Sequence, residues 1–386
     1  MDTGGHSRTT GAPGPDPEGP GGPWAGFAGH EEVVLAEDPG TGVRMVVAIH
    51  STRLGPALGG TRMADYADAP SPGAAAFADA LRLSRAMTYK NALAGLDHGG
   101  GKGVILADSR AHHASGDDAV LHAYGRLVSS LDGRYVTAGD VGMTVEDMDV
   151  IGEVCRWTTG RSPAKGGVGD SGILTALGVF LGMQASAQAV FGTDDLAGRR
   201  IAVVGAGKVG GRLIGHLVAA GADVVATDPS ESARDAVLDS CPGVRFVDSL
   251  DELLATGPEV LSPNAMGGLV TADLVPRLTV RLVCGGANNQ LADPAVGDLL
   301  HERGIVYAPD FMVNCGGVIQ VAEELVGGDL DRARHRTEQV YATTVRVLER
   351  AATEGITPVA AAEREAEDRI RRAPTGESHA AREQVL

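Results

Sequence analysis

The sequence predicts an α/β protein of two domains, and three observations carry that expectation. Its 386 residues exceed one domain at roughly 100–200 residues each. Apolar residues make up 43%, enough to bury a sizeable core. Short Val- and Leu-rich runs alternate with helical stretches across glycine turns, the texture of an α/β chain. Aromatics are only 4% while glycines number 55, so the core rests on Ala, Val and Leu, and much backbone must run close to other groups.

Taken in order, residues 1–25 read as a disordered tail, since 1–23 hold seven Gly and five Pro and lack the apolar stretch of a signal peptide. Glu31 to Thr52 reads as a hairpin, two Val-rich runs around Asp38-Pro39-Gly40-Thr41-Gly42. A glycine-rich loop is expected from Leu54 to Arg62, and a helix over Ala74 to Met87 with Phe77, Leu81 and Leu83 near one face. Val104 to Leu106 reads as a strand, Asp117 to Leu131 as a helix, Tyr135 to Thr137 as a strand and Glu146 to Cys155 as the start of a helix. These pieces form a first domain over 26–160.

The second domain, 161–354, opens on Ser171 to Thr193, which carries no charge for about the length a bilayer needs. Gln184, Ser186 and Gln188 interrupt it, so a buried helix is expected. From Ile201 the pattern turns to strand, glycine turn, helix, strand within 28 residues, the length of one right-handed βαβ unit. Further short strands at Phe246-Val247, Val260-Leu261, Val280 to Cys284 and Ile305 to Tyr307 suit a parallel doubly wound sheet. Arg332 to Ala352 and Pro358 to Arg372 read as charged amphipathic helices, and 373–386 as a frayed end.

The charge balance, 33 basic against 50 acidic residues for a net −17, argues against nucleic acid and against anionic membrane surfaces. Cys155, Cys241, Cys284 and Cys315 stand far apart without C-x-x-C or metal-ligand spacing. A cytoplasmic, reduced location and no metal site are therefore expected.

Gly205, Gly207 and Gly210 form G-x-G-x-x-G between the strand Ile201 to Val204 and the following helix. The first glycine allows a tight turn, the second lets backbone approach a pyrophosphate, and the third lets helix pack on strand; Lys208 and Val209 complete the loop. Asp228 ends the next strand, placed for a ribose 2′-hydroxyl and repelling a 2′-phosphate, so NAD is expected over NADP. A glycine turn with no ligand is the alternative.

Lys102, inside Gly99-Gly100-Gly101-Lys102-Gly103, invites a phosphate-loop reading, which fails because Leu96 and Gly103 stand where Gly and Ser or Thr are needed. If Lys90 and Lys102 face one cleft, burial and mutual repulsion depress one pKa and make a general base available. Asp140, in Gly139-Asp140-Val141-Gly142, is a third candidate for that cleft. From spacing alone, three solvated surface charges explain these residues equally well.

At these residues the chain resembles the dehydrogenase family that acts on glutamate, leucine, phenylalanine and valine. The resemblance is carried by MTYKNALAGLDHGGGKGVI, LGPALGGTRM, YVTAGDVGM, GAGKVG, CGGANNQL and YAPDFMVNCGGVIQV, in one order over residues 30–370. CRWTTGRS and GDSGILTALGVF are most similar to the valine branch. The resemblance implies two domains closing over a cleft, a homo-oligomer, a C-terminal helix (about 355–372) returning to the first domain, and NAD-dependent oxidative deamination of a branched-chain L-amino acid, valine favoured, to its 2-oxo acid and ammonium. A same-fold dehydrogenase for leucine or phenylalanine and a non-catalytic NAD-binding protein are the alternatives. It implies that Gly59, Gly60 and Lys90 bind the substrate carboxylate, that Lys102 is the base, and that Asp140 holds the amino group and moves protons. Thr175, Asn288 and Asn289 would fix the nicotinamide, while Leu58, Ala138, Val318 and Val321 would line the side-chain pocket. Met143, Gly172, Asn264 and His98 depart from the family pattern, and His98 would add a charge near Lys102 at low pH.

Overall fold

The computed structural model describes Phe27 and residues 29–374. The tail expected over 1–25 and all of the expected frayed end beyond residue 374 lie outside the described residues.

The first sheet is built from β1 (Glu32–Glu37), β2 (Arg44–Ser51), β3 (Ala57–Ala64), β4 (Gly99–Leu106) and β5 (Tyr135–Gly139), with α1 (Pro72–Leu93), α2 (Ser109–Ser115), α3 (Ala119–Ser129) and α4 (Val145–Val154) between them. Its order is β1-β2-β4-β3-β5. The expected hairpin is present, β1 lying antiparallel to β2, and its turn is held by Asp38, whose Oδ2 accepts from the Gly40 and Thr41 amides.

Two expectations need correction here. The loop predicted from Leu54 to Arg62 is largely β3, a central strand parallel to both β4 and β5. Its glycines serve packing rather than looseness, because a Cβ on Gly59 would lie 1.8 Å from the Gly101 carbonyl oxygen. The strand predicted at Val104 begins five residues earlier, at Gly99. Its glycine run admits α1, since a Cβ on Gly100 would sit 2.1 Å from the Thr88 backbone nitrogen. Glycine reads as a turn signal by composition, but between close backbones it is the one residue that fits.

α1 also extends to Leu93, six residues beyond its predicted end, and so carries Lys90 in its last turn. Thr88 and His50 pin it to β2: His50 Nδ1 and Thr88 Oγ1 share a hydrogen bond of 2.9 Å. Burial, with the neighbouring charges of His30 and Arg85, lowers the His50 pKa to about 4. A folded value below the unfolded 6.5 means that the neutral ring's contribution is complete above pH 6.5 and is lost as pH falls toward 4. Unfolding free energy should therefore decline over that window, by up to about 3 kcal/mol from this residue. Urea titrations at several pH values check this, and His50→Gln should flatten the slope.

α5 (Gly172–Phe191) leads to the second sheet. It is long and apolar enough to cross a bilayer, yet its buried positions, among them Val179 and Met183, pack against the helices of the second half. Then come β6 (Arg200–Val204), α6 (Gly210–Ala219), β7 (Asp223–Thr227), α7 (Glu231–Ser240), β8 (Arg245–Phe246), α8 (Leu250–Ala255), β9 (Val260–Pro263), β10 (Leu282–Val283), α9 (Ala295–Glu302) and β11 (Val306–Tyr307). All neighbours are parallel in the order β11-β10-β9-β6-β7-β8, the doubly wound arrangement expected.

α10 (Asp310–Val313), α11 (Gly316–Leu325), α12 (Leu330–Thr337), α13 (Gln339–Glu354) and α14 (Pro358–Arg372) close the chain. The single helix predicted over Arg332 to Ala352 is two, parted at Glu338. Just before the break, Thr337 Oγ1 donates to the Ala333 carbonyl at 2.8 Å, a back-bond that bends helices. α14 packs on α1. Arg369 donates to the Ala92 and Leu96 carbonyls at 3.0 and 2.7 Å, a cation at a helix C-terminus, and the Tyr89 hydroxyl donates to Glu367 at 3.3 Å.

Candidate active site

β4 delivers Lys102 and the end of β5 delivers Asp140. Lys102 is 4% exposed, and its Nζ donates to Asp140 Oδ2 at 2.6 Å. The missing side chain of Gly60 makes room for this pair, as a Cβ there would be 2.8 Å from the Asp140 Cβ. Arg62 Nε donates to the same Oδ2 at 3.3 Å. Burial pushes the Asp140 carboxyl up, but Lys102 and Arg62 more than offset this and bring it to about 2. Asp140 is thus ionised at neutral pH, and the three solvated surface charges that spacing alone allowed are not what the structure holds.

Lys90 reaches from α1 toward the second half of the chain, where its Nζ donates to Asn288 Oδ1 at 3.3 Å. Crowding by protein lowers its pKa; Asp310 opposes the shift and Lys102 adds to it. Asp310 is itself raised by burial against the pull of Lys90. Asn314 Nδ2 donates to Asn288 Oδ1 at 2.9 Å and to the Gly286 carbonyl at 3.2 Å. Asp310 and Asn314 were not singled out from the sequence, although both lie in YAPDFMVNCGGVIQV.

A second connection, also missed, runs along the outer part of α1. Arg62 Nη1 donates to Asp79 Oδ2 at 2.6 Å. Asp79 Oδ1 accepts from Arg82 Nη2 at 2.6 Å, and Arg82 Nη1 donates to Asn289 Oδ1 at 3.2 Å. Lys102, Asp140, Arg62, Asp79, Arg82 and Asn289 therefore form one chain of alternating partners from the first sheet to the Asn288-Asn289 turn. The available signal was the i,i+3 pairing of Asp79 with Arg82 on a predicted helix. Asn289 has φ +53°, a left-handed conformation that Asn tolerates better than most residues.

At the glycine loop, Gly205 has φ +96°, and a Cβ on Gly210 would lie 1.9 Å from the Gly205 carbonyl oxygen. A Cβ on Gly207 would meet nothing within 4 Å, so the space above the loop at the start of α6 is open, as a pyrophosphate requires. Val209 abuts Gly286, whose Cβ would be 2.7 Å from Val209 Cγ1. The Lys208 carbonyl accepts from Arg212 Nη1 at 2.7 Å. Asp228 is fastened beside the loop, accepting from the Ala206 amide at 2.7 Å and the Ser230 amide at 2.8 Å. Each carboxylate oxygen keeps acceptor capacity beyond these bonds. Together these features fit a dinucleotide. Thr175 is brought instead to the start of α11, where a Cβ on Gly317 would be 2.8 Å from its Oγ1.

The apolar residues gather at one cluster. Leu58 packs with Leu174 and Ile319, and the partly buried Val318 and Val321 lie against them. Leu58 has no exposed surface, so it backs the patch rather than lining it. Ala138 and Val321 both approach Gly160, and Thr159 Oγ1 donates to the Val321 carbonyl at 2.8 Å.

Of the departures, Asn264 is structural: it accepts from the Gly286 amide at 2.8 Å and donates to the Ser262 carbonyl at 3.0 Å. The Met143 amide donates to the Asp140 carbonyl at 3.0 Å within the Asp140 turn. A side chain at Gly172 would crowd Arg212 and Asp170. Burial lowers the His98 pKa while its Nδ1 bonds the Pro56 carbonyl, so acid charges it at lower pH than an ordinary histidine.

Comparison with known proteins agrees with this arrangement. Residues 30–157 match the family model for the Glu/Leu/Phe/Val dehydrogenase dimerisation domain, and residues 230–375 match that for glutamate/leucine/phenylalanine/valine dehydrogenase. The chain is 52% identical to a valine dehydrogenase of Streptomyces virginiae over 343 residues, 89% of this chain and 94% of that one. It is 46% identical to a leucine dehydrogenase of Bacillus subtilis, covering 89% and 92%. Its fold superposes on the crystal structure of L-tryptophan dehydrogenase from Nostoc punctiforme with a TM-score of 0.77 at 35% identity, covering 89% and 97%. With both family models matched, and a relative more than half identical along nearly its whole length, the chain belongs to the glutamate/leucine/phenylalanine/valine dehydrogenase family of amino-acid dehydrogenases.

Proposed function

We propose that the protein oxidatively deaminates a branched-chain L-amino acid, valine foremost: amino acid, NAD⁺ and water give the 2-oxo acid, ammonium, NADH and a proton. The observation that carries this is the Lys102–Asp140 pair at 2.6 Å, held on the first sheet opposite the Asn288-Asn289 turn of the second. Lys90 and the Gly59-Gly60 backbone hold the α-carboxylate. The Gly205 to Gly210 loop with Lys208 and Val209, Asp228, Thr175, Asn288 and Asn289 hold NAD⁺, which supplies the hydride acceptor. Once the imine has formed, Lys102, having given up its own proton to solvent, takes a proton as the free amine from the water that attacks the imine carbon. Asp140 is ionised in the resting pair, so the proton it delivers to the amino nitrogen comes from Lys102 across their short hydrogen bond. Protonated, the nitrogen leaves as ammonia, and the hydroxyl proton returns to the pair as the carbonyl forms.

Valine is favoured because the patch is aliphatic and stiff. Val318 and Val321 present β-branched walls, Ala138 leaves room, and Leu58 stands where glutamate-specific relatives have a lysine for the distal carboxylate. A second carboxylate buried here would lack that partner. One methylene is worth only about 1–3 kcal/mol, so activity on isoleucine and leucine is expected beside valine. NADH absorbance over a panel of L-amino acids tests the reading, and glutamate or phenylalanine exceeding all three aliphatic substrates in kcat/KM overturns the pocket assignment.

Cofactor choice has its own test. A 2′-phosphate beside the Asp228 carboxylate would be repelled, so kcat/KM with NAD⁺ should exceed that with NADP⁺ by about 10-fold or more, a discrimination of at least 1.4 kcal/mol. Equal efficiency would show that Lys208 or Arg234 compensates. The family model's description of residues 30–157 supports a homo-oligomer, and four free, buried cysteines support a reducing, cytoplasmic location.

A further inference from the structure

We propose that His112, His113 and Asp147 form a binding site for a divalent transition-metal ion of the zinc class, outside the Lys102–Asp140 cluster. No metal site is expected from sequence spacing, because the carboxylate lies 34 residues beyond His113 and only the approach of the two α2 histidines to Asp147 in the first turn of α4 brings the three together.

His113 Nε2 is 2.9 Å from Asp147 Oδ2, and His112 Nε2 is 4.0 Å from Asp147 Oδ1. The two imidazoles thus face different oxygens of one carboxylate, with all the candidate ligand atoms within 4.8 Å of one another. Zn–N and Zn–O bonds of about 2.0–2.2 Å place neighbouring ligands roughly 3.3 Å apart, so His112 has to move inward by less than about 1 Å at that contact. Its side chain and that of Asp147 are each 8% exposed, while His113 is 37% exposed, which closes the site on one side and leaves the other open for entry and for a water ligand.

The carboxylate is also oriented in advance. Asp147 Oδ2 accepts from the Thr144 amide at 2.7 Å, and the Asp147 amide donates to Thr144 Oγ1 at 3.1 Å. This reciprocal capping box leaves Oδ1 for an ion, in the way outer hydrogen bonds fix metal-binding carboxylates. Two imidazole nitrogens and one carboxylate oxygen suit Zn²⁺, Co²⁺ or Ni²⁺, whereas Mg²⁺ and Ca²⁺ need oxygen ligands nearly throughout. Binding requires that neither Nε2 carries hydrogen, so the neutral His113 ring shifts its proton from Nε2 to Nδ1, and a charged ring releases one. The ion would join α2 to α4, which begins five residues after Asp140.

The test uses the untagged full chain, stripped with a chelator and titrated with Co²⁺ and then Zn²⁺ by calorimetry and visible absorption. One equivalent of Co²⁺ should bind per chain with the intense absorption of a four- or five-coordinate ion, and one equivalent of Zn²⁺ should displace it. His112→Ala/His113→Ala should weaken binding by about 10-fold or more, the loss that even outer-shell changes produce. Zn²⁺ should raise the melting temperature of the parent and not of the variant. Because the double variant also removes the His113–Asp147 hydrogen bond, His113→Gln, half-exposed and still able to donate, serves as a second variant and should lose the same affinity. Failure of the parent to bind stoichiometrically, or unchanged binding in both variants, overturns the site and leaves an ordinary hydrogen-bonded tie between two helices.

Discussion

Lys102→Ala should lower kcat by at least about 10²-fold, the scale of a positioned general base, while NAD⁺ binding survives. The two effects separate because Lys102 stands on β4 of the first sheet, whereas the glycine loop and Asp228 belong to the second. The substitution also leaves Asp140 beside Arg62 alone, so the variant retains one cation against that carboxylate and the fold should hold. Steady-state kinetics, together with NADH fluorescence titration for cofactor affinity, measure both. A near-parental rate would remove Lys102 from the base role and the proposed proton route with it.

Gly100→Ala should prevent stable folding, or destabilise by about 3 kcal/mol or more, at the upper end for overpacked cores. A Cβ at this position would meet the Thr88 nitrogen at 2.1 Å, Oγ1 at 2.2 Å and Cα at 2.5 Å. Two of those atoms are backbone of α1, so relief requires the helix to leave the sheet. The comparison is Gly215→Ala in α6, where a Cβ meets nothing within 4 Å. There the loss of glycine's unfolded-state freedom should stabilise by about 0.5–1 kcal/mol. Denaturant unfolding of both variants checks the contrast, and similar values would mean that close approach at β4 does not govern the glycine run.

What the sequence revealed followed from how local each signal was. The βαβ unit at Ile201 and the Asp38 turn are written in contiguous residues, so their position and character were legible. β3 was not, because Gly59 and Gly60 carry no pattern of their own and acquire strand geometry only from the strands on either side. The same distinction divides the site. Lys90, Lys102 and Asp140 stand in distinctive motifs, and spacing alone could not tell paired charges from a solvated face; the 2.6 Å ion pair shows Lys102 and Asp140 partnered. Arg62, Asp79 and Arg82 were missed because each is an ordinary surface-type charge in sequence, and their meaning lies in partners up to 207 residues away. The capacity of Leu58 to touch a ligand was overstated for a related reason: its place beside Gly59 says nothing of the side chains that cover it.

The docking of α14 on α1 has a mechanical consequence. The polypeptide leaves the first sheet through the segment after α4 and comes back to it through α14, so two separate crossings join the halves. Bodies tethered at a single point can swivel in any direction; with two tethers, relative rotation is confined to an axis through both. The same two tethers hold Lys90 and Arg82 of α1 in register with the Asn288-Asn289 turn. Cutting the chain at Gly355, between α13 and α14, would release one tether and free rotation about the other.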